Sequence, residues 1–158
     1  MPKMKPASEN ILRVARGFLD TARELEATHR RETSPPPKGT TIDRAWLDRT
    51  QGRIVSATML EALAVELALK ARLINAHIEP PNIHDHFKLF KKLPLEIRDQ
   101  ANKEYQARRH PAMRKTLAEA LAFSSKVFVD WRYAYEHSSV QASAGEMLHA
   151  FAALTEGL

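Results

Sequence analysis

Cysteine is absent from the 158 residues. That excludes a disulfide framework, a thiolate nucleophile and a cysteine-rich zinc site, and it fits a reducing cytoplasm. Glycine occurs only five times, and no window shows the alternating apolar pattern, bounded by glycine turns, that marks strands. Neither a phosphate-cradling glycine loop nor a nucleophile elbow is present. Long uninterrupted apolar runs are missing as well. The basic start MPKMKPASEN is followed by Arg13, Arg16 and Asp20, which break any run of signal-peptide type. Residues 55–74 are the most apolar window, yet Glu61, Glu66, Lys70 and Arg72 lie inside it, each expensive at a bilayer centre. The expectation is a cytoplasmic chain with no membrane span.

What is present reads as helix. The length suits one domain over residues 1–158, and a composition 44% hydrophobic and 27% charged needs no disorder across the whole chain. A first helix is predicted from about Ser8, as N-cap, to about His29, with Ile11, Leu12, Val14, Ala15, Phe18, Leu19, Ala22 and Leu25 spaced for one face. Three consecutive prolines within RRETSPPPKGTT predict an extended, exposed linker over about 31–41. A second helix, about Thr50 to Ala76, is apolar on nearly all sides and should be the central core helix. Phe87, Phe90 and Leu93 mark a short third helix closed by Pro94. A fourth follows over Leu95 to Arg108, a fifth from about Pro111 to Tyr135, and a sixth over about Ala142 to Leu154. The fold class is therefore all-α, an irregular bundle of five to six helices.

The net charge of +5 is regional. Residues 84–115 carry nine Lys/Arg against four acids, whereas 116–158 carry two bases and five acids. Solvated helix faces account for most of these lysines. The same run supplies Lys88, Lys91, Arg108 and Arg109 as candidate phosphate contacts, with His110 beside the last two. Glu66 and Lys70, four residues apart, should form a helix-surface ion pair; a functional Glu66 would have to be buried and face Arg132. His84 and His86 flank Asp85 and diverge by about 200° on a helix. Zinc would require two further ligands there, so no metal or cofactor is assigned; the plain reading is a helix start with Asp85 at the positive end of the dipole.

The stretch DWRYAYEH, residues 130–137, places Arg132 four residues before Glu136 and five before His137. On a regular helix Phe128, Trp131 and Tyr135 share one side, which suits core or dimer-interface packing. Arg132 and His137 lie about 140° apart on a continuous helix and converge only if the helix ends or tightens there.

Taken together, ELALKARL on an apolar helix, HDHFKLFKKLP opening a short helix, and a long helix finishing in WRYAYE and a histidine resemble the HEPN superfamily of small prokaryotic helical domains. The resemblance covers roughly Thr50 to His137. Many members carry an arginine, four to six residues and a histidine; Arg132 and His137 match the four-residue spacing. The resemblance implies metal-independent RNA cleavage in a homodimer, with Arg132 on the phosphate and His137 as base in one chain and acid in the other. It further implies a toxin or defence role, with an antitoxin or nucleotidyltransferase-like partner. Tyr133 stands where active members usually place a small polar residue. That leaves open a non-catalytic dimerisation, ligand-binding or partner-binding module, in which Trp131, Tyr133 and Tyr135 would suit a packed interface.

Overall fold

The computed structural model describes residues 5–33, 44–132 and 146–158. Six helices follow one another: α1 Pro6–Thr33, α2 Arg44–Asn75, α3 His86–Lys91, α4 Leu95–Arg108, α5 Leu117–Arg132 and α6 Glu146–Thr155. The chain is all-α, and among the described residues no strand interrupts the helices.

α1 starts two residues earlier than expected. Lys5 accepts the first helical bond from the Glu9 amide, and Pro6, which has no amide hydrogen to leave unpaired, takes the first turn. Ser8 thus lies inside the helix and is buried. Leu12, Ala15, Leu19 and Ala22 form its buried stripe at spacings of three and four.

That stripe lies on α2, the hub of the molecule, which also packs against α3, α5 and α6. Ala62, Val65, Ala68, Leu69 and Leu73 are all buried there, because the other helices surround α2. Truncating Leu69 or Leu73 to Ala would cost about 2–5 kcal/mol. α2 ends in a Schellman motif: the Ile78 amide bonds to the Leu73 carbonyl at 2.8 Å and the His77 amide to that of Ile74 at 3.0 Å. His77 holds the left-handed position, φ 62°, where glycine is usual.

α3 opens on Asp85, an N-cap whose side chain accepts from the Lys88 amide at 2.9 Å. α4 keeps its predicted span. α5 starts at Leu117, not near Pro111, because Thr116 and Glu119 form a reciprocal capping box: each side chain accepts from the other's amide, at 3.2 and 3.1 Å. The expected continuation of α5 to Tyr135, the expected start of α6 at Ala142 and the proline-rich stretch from Ser34 on lie outside the described residues.

Candidate functional site

Three elements meet where α3 begins. The loop after α2 carries His84 back over α2. There its Nδ1 lies 3.0 and 3.1 Å from the two oxygens of Glu66. The Lys70 ammonium donates to Glu66 Oε1 at 2.7 Å. Glu66 is thus buried, its side chain 5% exposed, while the imidazole it holds is 57% exposed. A carboxylate oxygen only accepts, so His84 presents Nδ1–H to it. The pair Glu66–Lys70 was legible from its spacing; the burial of Glu66 and its second partner were not.

Asp85 and His86 turn toward α5 instead. Ser125 Oγ lies 3.5 Å from Asp85 Oδ1 and accepts from the Phe87 amide at 3.3 Å. Burial works to raise the Asp85 carboxyl, but the Lys88 amide, the Lys88 side chain and the Ser125 hydroxyl outweigh it and hold the group below its ordinary value. His86 Nδ1 lies 2.7 Å from Ser124 Oγ, whose hydroxyl donates to the Leu121 carbonyl. His86 is buried, and burial pushes the ring down to about 4, so it is a neutral packing residue at neutral pH. The two histidines therefore diverge, as helix-start geometry requires, one to α2 and one to α5. Among the described residues no group of three His, Asp or Glu could hold a metal ion.

The predicted cations fall into two groups. Lys88 pairs with Asp85 at 3.3 Å, and Lys91 lies 4.6 Å above the Phe87 ring, both on α3. Arg108 sits at the far end of α4, about 20 Å along its axis from the α3–α4 junction. It pairs with Glu104 at 3.5 Å and Glu156 at 2.6 Å. The Arg109 Nε is buried without a hydrogen-bond partner among the described residues. Arg108 would have to leave Glu156 to reach a phosphate.

A buried polar network escaped the sequence reading. Glu146, the first residue of α6, accepts from the Tyr105 hydroxyl at 3.1 Å and from the Arg114 amide at 2.9 Å, and pairs with the Arg114 guanidinium. That guanidinium also lies 3.5 Å over the Phe123 ring. Burial first, and Glu146 second, push the Tyr105 hydroxyl above its ordinary value. It ties α4, α5 and α6 together through groups far apart in the chain.

Arg132 is the last residue of α5. Tyr133 and His137, with the aromatic face through Tyr135, lie outside the described residues. A family model, the HEPN domain, matches residues 40–154. The chain belongs to the HEPN family. Its HEPN stretch takes in α2 to α5 and all but the last residue of α6, including the Arg132–His137 motif; α1 stands before it. No curated protein and no solved structure matches the chain. No helix among the described residues is long and apolar enough to cross a membrane.

Proposed function

We propose that this HEPN protein is a metal-independent endoribonuclease that acts as a homodimer in the cytoplasm, in a toxin or defence role. The reading is carried by one observation: in a chain of this family Arg132, which closes α5, is followed in the sequence by four residues and His137. Transphosphorylation needs a base for the ribose 2′-hydroxyl, an acid for the leaving 5′-oxygen and positive charge on the phosphorane. His137 and Arg132 are the residue types that meet those needs near neutral pH. In a dimer with facing motifs, one His137 acts as base and the other as acid, and Arg132 holds the phosphate. Lys88, Lys91, Arg108, Arg109 and Tyr133 are the candidate RNA contacts. An antitoxin or nucleotidyltransferase-like protein is the proposed partner.

Tyr133, directly after Arg132, favours a second reading: a non-catalytic dimerisation, ligand-binding or partner-binding module. Incubation of purified protein with RNA in excess chelator separates the two. The nuclease releases 2′,3′-cyclic phosphate ends, spares a substrate with 2′-deoxyribose at the cut, and loses cleavage in Arg132→Ala and His137→Ala while the dimer persists. Cleavage that survives both substitutions would remove these residues from the mechanism. A wild-type chain that leaves RNA intact is the binding module.

A further inference from the structure

We infer that the groove between α1 and α6 is a binding site for a small aromatic carboxylate, a single ring that carries one negative charge. Such a site is independent of the ribonuclease reading. α1 and α6 both pack on α2, and between them lies a groove of about 210 Å³. Leu19 from α1 lines it together with Leu148 and Phe151 from α6, and the buried Leu19 and Phe151 make its floor apolar. A cavity of about 150 Å³ lined by apolar side chains takes up benzene, whereas drug-sized ligands fill about 300–1,000 Å³. The groove therefore has room for one substituted ring.

The rim sets the charge. Arg16, Asp20 and Arg23 line the groove from α1, and their spacings of four and three residues keep them within about 60° of one another around the helix. Arg23 holds Asp20 at 3.5 Å. Arg16 makes no ion pair or hydrogen bond among the described residues. Two guanidinium groups and one carboxylate thus leave one positive charge unanswered above an apolar floor.

The donors narrow the ligand further. Thr155 also lines the groove, but its hydroxyl donates to the Phe151 and Ala152 carbonyls, at 3.0 and 3.3 Å, so Arg16 is the group that meets the acid. Its planar fork fits a carboxylate bidentately, and guanidinium groups stack on aromatic faces, which favours a ring over an alkyl chain. A dianion would need Arg23 as well, and Asp20 already occupies it. A neutral ring would gain nothing from Arg16. α1 precedes residues 40–154, so one wall of the groove lies outside the HEPN stretch.

Nitrogen-15 amide spectra of the full chain, titrated with benzoate, benzyl alcohol and phenyl phosphate, test this. Benzoate should shift the Leu148, Phe151 and Ala152 amides saturably, with half-saturation on the order of 1 mM. Benzyl alcohol, which lacks the charge, should bind about fivefold more weakly, and Arg16→Gln should weaken benzoate by about the same factor, the most that an exposed ion pair contributes. Asp20→Asn should release Arg23 and make phenyl phosphate the tighter ligand. Both substitutions fall at exposed positions, where the fold does not depend on them. No saturable shift at these amides, equal affinity for benzoate and benzyl alcohol, or unchanged benzoate binding in Arg16→Gln would overturn the site. Shifts of the same amides with protein concentration alone would assign the groove to a second copy of the chain and overturn it as well.

Discussion

Glu61 carries a sharp consequence for stability. Its side chain faces α1 from α2, is 1% exposed, and leaves Oε1 without a hydrogen-bond partner among the described residues. Burial is the main reason its carboxyl rises from an ordinary 4.5 to about 8; Glu26 on α1 adds to the rise and Arg23 opposes it. The folded protein therefore keeps a proton at neutral pH that the unfolded chain has released. Stability must fall as pH climbs between 4.5 and 8, and the loss is complete above that window. At 1.36 kcal/mol per pH unit the whole interval is worth about 5 kcal/mol, a large part of the 5–15 kcal/mol typical of a domain. Glu61→Gln removes the ionisation while keeping the shape. Urea unfolding followed by circular dichroism at pH 5, 7 and 9 should show the variant about equal to wild type, or about 1 kcal/mol weaker, at pH 5, because a buried amide gains no partner there. It should be more stable by about 3 kcal/mol at pH 9. Parallel pH dependence of the two proteins would refute the argument, since it would mean that the buried site carries no proton.

His86 behaves with the opposite sign: its ring stays neutral to about pH 4, so stability present above pH 6.5 is lost as pH falls from 6.5 to 4, on the order of 3 kcal/mol. A His86 imidazole resonance that titrates near pH 6.5 in the folded protein would contradict this. His77→Gly should raise the thermal midpoint by about 2 °C, because glycine tolerates the left-handed φ of 62° and the lost contact to Lys5 is exposed; a lower midpoint would show that the His77–Lys5 contact outweighs the strain. Thr116→Ala should cost about 1 kcal/mol in urea unfolding by opening the capping box of α5. No change would place the start of that helix elsewhere.

Local chemistry determined much of this protein. Pro94 and the helix formers after it set α4 at its predicted ends, and the stripe from Leu12 to Ala22 identified the buried face of α1, because backbone sterics and side-chain period act within a few residues. The Thr116–Glu119 box was equally local, yet Pro111 drew the predicted start of α5 six residues early; a proline permits a first turn, whereas a capping box satisfies two amides that would otherwise be orphaned. The Arg132–His137 spacing and the Glu66–Lys70 pair are also written in the chain. Tertiary structure alone decided that Glu66 is buried and grips His84, that Glu61 Oε1 is buried with no hydrogen-bond partner among the described residues, and that Glu146 joins Tyr105 to Arg114. Such relations depend on which helices exclude water from a given carboxylate, and desolvation is a property of the packed assembly that no run of neighbouring residues encodes.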